Sequence, residues 1–356
     1  MNVGTIIQVF YTGRGFGGEV HADTLRTAWA GQGRDVRNVA FYDVADSGDR
    51  GWRLLYPGRG AKKTDVIRHP FRVLQLLREM RPEVVISHTQ VAAFFVHPVA
   101  WILRVPKRIN VHHLPLNREL GPPFAFVEML FGSIGVYTDV VMVAEAGVRS
   151  ASKFPARYRR KIKLIRNQVP PLPEVSVEEA RSKLGLPDDD TPILAFVGRR
   201  TLAKGADVAA KAAAHVDDCI LLMAGEEGDA DEEISAAASG NADIRLLGRV
   251  DRERLSAVMT AADVLVFPSQ RETRPLSLLE AASKELPIVA SDIQENREAV
   301  GDYASYVAGD DPIRWAEAIK SAVAAGKTRD RNAKRSSDGR FESMIDEYVT
   351  LVGGNG

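Results

Sequence analysis

Short apolar segments alternate with amphipathic segments along the chain, and this alternation limits the possible folds more than any other feature of the sequence. In the first half, runs of four to eight mostly apolar residues are typical of strands buried on both faces. Stretches with helical periodicity lie between them, for example Pro70–Met80. The pattern predicts a parallel sheet with helices on both faces. The predicted strands are Val3–Phe10, Val36–Phe41, Glu83–Ser87, Arg108–His112 and Val140–Val143, and Asp43–Thr64 is predicted to be a loop.

A second alternating series follows a stiff break at Pro170, Pro171 and Pro173. Proline removes a backbone donor and favours extended geometry in the residue before it, so we place a domain boundary there. A chain of 356 residues is also long for a single core. We therefore predict an N-terminal domain at 1–170, a C-terminal domain at 171–335, and a helix at 336–356 that is able to pack back on the first domain. The predicted fold class is α/β, with two doubly wound Rossmann-like domains facing each other across a cleft.

Composition narrows the class of protein further. No apolar run reaches the ~20 residues of a membrane span. The first ten residues are predicted to form a buried strand rather than a signal peptide, because a basic leader and a cleavage site are lacking. The single cysteine, Cys219, excludes an internal disulfide framework and fits a cytoplasmic protein.

The zero net charge hides an asymmetry between the two halves. Residues 1–170 hold 25 Lys+Arg and 13 Asp+Glu, whereas the remainder holds 22 and 34. The first half is therefore expected to meet an anionic partner. An equally good explanation is that the two domains attract each other.

The first motif is the glycine-rich segment Gly13–Gly18, which follows the first predicted strand and satisfies G-x-G-x-x-G. Glycines at such a turn let the backbone approach a phosphate at a helix N-terminus. The segment would suit a dinucleotide site, with Asp43 as the acidic residue, or simply a tight turn between a strand and a helix. It would equally suit a phosphate-facing or sugar-facing loop of another enzyme.

Two further motifs lie in the second half. The strand Ile193–Val197 ends in Gly198 and Arg199, and Lys204 follows. Such a turn allows close approach of a ligand, and its cations can hold phosphate oxygens, although a solvated basic loop would look the same. After the strand Val264–Pro268, Glu272 lies in a loop and Glu280 lies eight positions later in a predicted helix. One carboxylate is then able to reach a sugar hydroxyl and the other two ribose hydroxyls.

Together these motifs resemble the retaining glycosyltransferases of family 4, which have the GT-B fold. The resemblance rests on Phe196–Gly205, on the E-x7-E pair, and on the turn Leu247-Gly248-Arg249. It is strongest from about 191 to 300, and it extends more weakly to Gly17-Gly18-Glu19. The segment Glu272-Thr273-Arg274-Pro275 departs from the common Glu-Gly-Phe-Gly, which changes the sugar pocket.

The resemblance implies a donor site for a nucleotide-diphosphate sugar in the C-terminal domain. Arg199 and Lys204 would clamp the diphosphate after Gly198, Glu280 would hold the ribose, and Glu272 would bind the donor sugar. Arg249 would lie beside the base. The backbone of Arg274, Pro275, Leu276 and Ser277 would line the sugar and the phosphates.

The resemblance also implies roles for N-terminal residues. Gly17 and Gly18 would close over the phosphates from the other domain. His112 would contact the donor sugar, with His113 as the second choice. His88 and His113 are candidate contacts to the acceptor.

The activity implied is transfer of a hexose with retention, by front-face attack, as in polysaccharide biosynthesis. No cofactor is expected beyond the donor substrate, and no catalytic metal, because the cations and a helix N-terminus can stabilise the leaving phosphate. A sugar-nucleotide epimerase, a phosphorylase, a dinucleotide-dependent oxidoreductase that uses Gly13–Gly18, and a non-enzymatic partner with a decayed site remain as alternatives.

The segment 153–163 is strongly basic and is a candidate contact for an anionic acceptor or for anionic lipid on the inner face of the membrane. Phe154 and Tyr158 are spaced for insertion into the interface. A solvated basic helix would have the same composition. No nucleic-acid partner is expected, since the sequence has no recognition module.

Overall fold

The computed structural model of the chain describes residues 4–12, 17–42, 52–57, 62–238, 243–326 and 340–353. The chain divides into two compact units, and each is described by itself. The N-terminal unit comprises Met1–Asn167 together with Glu342–Gly356, and the C-terminal unit comprises Gln168–Phe341.

The N-terminal unit is built on a parallel sheet. In its described residues the strands lie in the order β3-β2-β1-β4-β5-β6-β7. The strands are buried on both faces, as their apolar composition predicts; in β1, for example, Ile6 and Ile7 are both inaccessible to solvent. The strands are β1 Ile6–Thr12, β2 Val36–Tyr42, β3 Arg53–Tyr56, β4 Val84–Ser87, β5 Lys107–His112, β6 Asp139–Met142 and β7 Ile162–Leu164.

Helices connect these strands. Helix α2 begins with proline in its first turn, where a missing N–H costs nothing, and ends at Arg81 in the left-handed conformation. The helices are α1 Gly17–Gly31, α2 His69–Met80, α3 Gln90–Ile102, α4 Leu116–Glu119, α5 Pro122–Ile134, α6 Glu145–Ser150 and α7 Ala156–Arg159. A further helix belongs to this unit although it follows the C-terminal unit in the chain, and its Tyr348 is fully buried. It spans Arg340–Gly353 and is called α15 below, after the helices of the C-terminal unit.

The C-terminal unit has a second parallel sheet, with the described strands in the order β10-β9-β8-β11-β12-β13. Alternate residues of β8 pack into the two hydrophobic layers of the unit: Leu194 and Phe196 into one, Ile193 and Ala195 into the other. The strands are β8 Ile193–Val197, β9 Ile220–Ala224, β10 Asp243–Gly248, β11 Val264–Phe267, β12 Ile288–Ser291 and β13 Ala304–Val307.

The helices of this unit begin where the sequence offers caps. The Ser176 hydroxyl accepts from the Glu179 N–H at the start of α8, and the Asp251 carboxylate accepts from the Arg254 N–H at the start of α11. The helices are α8 Val177–Lys183, α9 Ala206–Ala213, α10 Asp231–Ala237, α11 Arg252–Ala261, α12 Leu276–Ser283, α13 Gln294–Val300 and α14 Pro312–Gly326.

One predicted loop differs from the observed structure. The segment Asp43–Thr64, predicted as a loop, contains the edge strand β3, and a 3-10 helix begins at Lys63. The predicted strands agree with the observed ones to within a few residues. Within the described ranges, no helix is long and apolar enough to cross a membrane.

Candidate functional site

The C-terminal unit presents its candidate residues at the carboxyl edge of its sheet. Strand β8 lies between β9 and β11, so the chain leaves β8 in one direction and returns to its other side through β11. Ligands of doubly wound sheets bind at such a switch point, where adjacent loops diverge. The loops after β8 and β11 carry the second and third motifs of the sequence.

Lys204 and Glu272 meet at this switch point. Lys204 Nζ lies 2.6 Å from Glu272 Oε1, and the side chains are 30% and 9% exposed. Lys204 ends a short 3-10 turn, Leu202–Lys204, and the Gln270 N–H donates to the Ala203 carbonyl at 3.1 Å. The ion pair therefore joins the two loops and places a cation and a carboxylate at the same point of the sheet edge.

Gly205 allows this close packing. Its φ is +66°, and a β-carbon at this position would lie 2.2 Å from the Pro268 carbonyl oxygen. Only glycine combines the left-handed backbone with the absence of a side chain. The glycine of the motif therefore brings the Lys204 turn against the end of β11.

Helix α12 begins directly after the Glu272 loop. Pro275 is its N-cap, and Leu276 and Ser277 are its first two residues. The first N–H groups of a helix have no intrahelical acceptor, so this end is able to donate to anionic oxygens. Arg274 lies beside it, with Nη1 3.4 Å from the Glu298 carbonyl oxygen.

Glu280 lies in the second turn of α12 and is 8% exposed. Burial raises its pKa to about 7, and the positive charge of Arg252 opposes that rise. Arg252 Nη1 is 3.6 Å from Glu280 Oε1, and Arg252 also donates to the Pro170 carbonyl at 2.8 Å. Sequence reasoning missed Arg252; the one signal was its place at the start of the helix after the Leu247-Gly248-Arg249 turn.

The arginines near the ends of β8 and β10 have different environments. Arg199 and Arg249 are exposed, and Arg249 Nη1 lies 3.5 Å from Glu226 Oε1. Arg200 is buried and holds Asp231 with two nitrogens, at 2.7 and 3.0 Å. Gly198 lies where β8 ends, and its N–H donates to the Ala224 carbonyl. Arg200 therefore fixes the loop from within, while Arg199 remains accessible from the sheet edge.

The N-terminal unit has its own switch point between β1 and β4. Of the glycine-rich segment that follows β1, Gly13–Phe16 lies outside the described residues, whereas Gly17 and Gly18 begin α1. A β-carbon on Gly18 would lie 3.2 Å from Cδ2 of His113. Gly18 thus lets the start of α1 approach the residue that follows β5.

His113 and His88 form a hydrogen-bonded pair, with His113 Nε2 3.2 Å from His88 Nδ1. His88 Nε2 lies 2.9 Å from Gln8 Oε1, which can only accept, so His88 carries its proton on Nε2. Burial lowers the pKa of both histidines, that of His113 to about 4. In the neutral pair His113 donates to His88, which leaves His113 Nδ1 as an acceptor.

His112 occupies a different environment from its neighbour. It is fully buried, with Nδ1 2.9 Å from Glu119 and Nε2 3.1 Å from Glu128. Burial alone would lower its pKa, but the Glu128 and Glu119 carboxylates outweigh burial and raise the pKa to about 10. His112 is thus an imidazolium with both nitrogens engaged. His112 was the first choice for a histidine that contacts the donor sugar. The geometry favours His113 instead, because His113 is partly exposed. The roles of both histidines stay predictions.

In the basic segment 153–163, the position of the aromatic side chains differs from the prediction. Tyr158 is fully buried and its hydroxyl donates to Glu128 at 2.8 Å, while Phe154 packs against Tyr158 with ring centroids 4.9 Å apart. The prediction that Tyr158 is available for insertion into a membrane interface is therefore wrong, because its ring is used in the core. Phe154 is half-buried against that ring.

Across the described part of the chain, no group of three or more His, Cys, Asp or Glu side chains is arranged to hold a metal ion.

Comparison with known proteins matches the C-terminal unit to a family. Residues 176–338 match the family model described as glycosyl transferases group 1. A D-inositol 3-phosphate glycosyltransferase of Xylanimonas cellulosilytica is 33% identical over 199 residues, which is 51% of this chain and 48% of the relative. The chain thus spans about half the length of that curated relative.

Two solved structures share the fold along almost the whole chain. HepE of Anabaena, in complex with UDP and glucose, has 14% identity and a TM-score of 0.73, covering 97% of this chain and 99% of that one. WaaG, a glycosyltransferase involved in lipopolysaccharide biosynthesis, has 16% identity and a TM-score of 0.74, covering 98% and 100%. The oxidoreductase, epimerase and phosphorylase alternatives find no support in these comparisons. The predicted fold class, two doubly wound sheets of the GT-B type, is confirmed, and over residues 176–338 this chain is similar to the group 1 glycosyltransferases.

Proposed function

We propose that this protein is a retaining, family 4 type hexosyltransferase that moves a sugar from a nucleotide-diphosphate sugar to an acceptor. The observation that carries the proposal is the Lys204–Glu272 ion pair at the β8/β11 switch point, beside the start of α12 and the buried Glu280. Such a donor needs a cation for its phosphates, one carboxylate for the sugar and one for the ribose, and the N–H groups of a helix N-terminus.

The proposed chemistry is cleavage of the bond between the anomeric carbon and the diphosphate oxygen. The electron pair of that bond leaves with the diphosphate, and an acceptor hydroxyl oxygen forms the new bond on the same face of the sugar. The hydroxyl proton passes to the departing phosphate. Arg199, Lys204 and the N-terminus of α12 stabilise the charge that develops there, so we propose a reaction without a catalytic metal or a further cofactor.

Glu272 has a second role in this proposal. Its carboxylate pairs with the Lys204 ammonium at 2.6 Å. A donor diphosphate would compete for the Lys204 ammonium, and Glu272 would then be released to accept from donor sugar hydroxyls. The same ion pair therefore holds both side chains at the sheet edge where the donor would bind.

The names of the similar proteins suggest which donor and which acceptors to test first. UDP-glucose is the first donor to test, because HepE was solved with UDP and glucose. Candidate acceptors are a glycan, a lipid-linked sugar or a phosphate-bearing small molecule, since one relative is named for D-inositol 3-phosphate. We propose that the acceptor binds the N-terminal unit near His88 and His113, and that the enzyme works in polysaccharide biosynthesis on the cytoplasmic side of the membrane.

Release of nucleoside diphosphate from a panel of nucleotide sugars, with and without these acceptors, tests the proposal. Lys204→Ala is expected to lower the turnover rate roughly 100-fold, because it removes a cation from the leaving phosphate. Lys211→Ala is the matched control, since Lys211 pairs with Asp207 on α9 at 2.9 Å and is outside the site. Equal rates in the two variants would contradict the assignment of Lys204.

A further inference from the structure

Helices α3 and α5 of the N-terminal unit lack the polar outer face that a helix on a sheet normally has. Each has 13 residues, and the only Asp, Glu, Lys or Arg in either is Glu128, which is fully buried. On α5, Phe126, Leu130 and Ile134 recur every four residues and are 59%, 40% and 51% exposed. The outer side of α5 is therefore an uninterrupted apolar stripe.

The stripe continues onto α3. The rings of Phe94 and Phe124 are stacked with centroids 5.6 Å apart, which joins the two helices. Trp101 and Ile102, at the end of α3, are 45% and 73% exposed. We call the exposed side chains of α3 and α5 the apolar face. Contiguous exposed apolar surface on this scale usually marks a binding surface.

Cations flank the apolar face. Helix α7 packs against α5 through Tyr158, whose ring occupies the space that a side chain at Gly132 would need. Around α7, residues 152–163 contain six Lys+Arg and no Asp or Glu. Arg157, Arg159 and Arg160 are exposed. We call these exposed cations the basic flank.

The combination of the apolar face and the basic flank fits some kinds of binding partner better than others. A second copy of this chain would cover the apolar face, but residues 152–163 contain no Asp or Glu, so the same surface on the copy would offer no anionic partner to the basic flank. Nucleic acid would use the cations but would leave the aliphatic stripe exposed to water. An anionic bilayer satisfies both features, because apolar side chains enter the interface while arginines bind lipid phosphates.

We propose that the N-terminal unit docks on anionic membranes through the apolar face of α3 and α5, with the basic flank of α7 holding lipid headgroups. The inserted residues are then Phe126, Leu130 and Ile134 rather than Phe154 and Tyr158. Docking involves none of the residues of the donor site, so its failure would leave the proposed transfer reaction untouched.

Sedimentation of the full-length protein with vesicles tests the docking surface. We expect binding to phosphatidylcholine vesicles that contain phosphatidylglycerol and much weaker binding to phosphatidylcholine alone. The triple variant Phe126→Gln, Leu130→Gln, Ile134→Gln should lose about tenfold or more in affinity. The matched control is Leu246→Gln, Ile313→Gln in the C-terminal unit, whose side chains are 49% and 58% exposed; it should bind like the wild type.

Trp101 provides an independent readout. Its fluorescence should shift to shorter wavelength when anionic vesicles are added, and Trp101→Phe should remove the shift while sedimentation persists. The proposal is overturned if the triple variant and the wild type bind equally. It is also overturned if the wild type ignores anionic vesicles and instead forms a dimer, seen by light scattering, that the triple variant abolishes.

Discussion

Lys204 and Glu272 lie 68 positions apart in the chain, yet their side chains meet at 2.6 Å. The contact exists because β8 and β11 are neighbours in a parallel sheet, so their carboxyl ends open on the same edge. Sequence motifs identified both residues as ligand contacts. That they pair with each other depends on strand order, which no local pattern records.

Glu280 gives a pH-dependent prediction at the residue scale. Burial raises its pKa to about 7 from an ordinary value of 4.5, so the native state holds a proton that the unfolded chain has lost between these pH values. The free energy of unfolding should therefore fall by up to about 3 kcal/mol as pH rises through that window, and level off above it.

Urea unfolding of wild type and Glu280→Gln at a series of pH values checks this. Glutamine carries no titrating proton, so the wild type should lose stability relative to this variant as pH rises from about 4.5 to 7. Glu253→Gln, an exposed neighbour on α11, is the control and should run parallel to the wild type. Parallel curves for Glu280→Gln would contradict the assignment of a raised pKa.

Glu128 gives a second prediction. It accepts from His112, Asn110, Tyr137 and Tyr158 within 3.2 Å, all in the core. Glu128→Gln should cost about 3 kcal/mol or more in urea unfolding at neutral pH, because it leaves a buried imidazolium without its main partner.

Histidine NMR gives a second readout for Glu128. The pKa of His112 should fall in Glu128→Gln, since burial would no longer be outweighed by the nearest carboxylate. Glu119→Gln is the comparison, because Glu119 is 14% exposed and should cost less. An equal loss of stability in the two variants would show that Glu128 is not the centre of this network.

At the scale of elements, the turn that carries Lys204 depends on Gly205. Gly205→Ala would combine a left-handed backbone with a collision against the Pro268 carbonyl. Gly309→Ala is the matched control, because Gly309 has a φ of +80° and open space around it. The control should lose about 1 kcal/mol in thermal unfolding, and Gly205→Ala clearly more.

The activity of Gly205→Ala separates two explanations. If the turn positions Lys204, the variant should also lose sugar transfer, whereas Gly309→Ala should retain it. Similar stability and activity for both variants would mean that the turn adapts without consequence for the site.

The elements that the sequence did not predict have identifiable physical reasons. Helices α3 and α5 were missed because periodicity requires a polar side, and theirs is absent or buried. Strand β3 was missed because its four residues, Arg53–Tyr56, pair at the sheet edge within a polar stretch. By contrast, β8 and β11 are buried on both faces and are continuous apolar runs, and the sequence located them to within a residue.

At the scale of the whole molecule, two sheets of the same winding carry different chemistry at their carboxyl edges. The N-terminal edge has histidines in neutral and charged states, whereas the C-terminal edge has the Lys204–Glu272 pair and Glu280. Glycine motifs predicted both edges. The protonation states of the two histidines could not be predicted from the sequence. The charge of His112 depends on Glu128 and Glu119, which lie on separate helices, and the neutral state of His113 depends on its burial and on the charge of His112.

The central claim is that the C-terminal unit binds a nucleoside diphosphate, and its most direct test is the shift of the unfolding temperature by UDP, GDP and ADP. A ligand that binds the native state raises this temperature by mass action. We predict a shift with one of these nucleotides in the wild type and in Glu253→Gln, and its loss in Glu280→Ala. No shift with any of them, or a shift only with a nicotinamide dinucleotide, would contradict the account and return attention to Gly13–Gly18.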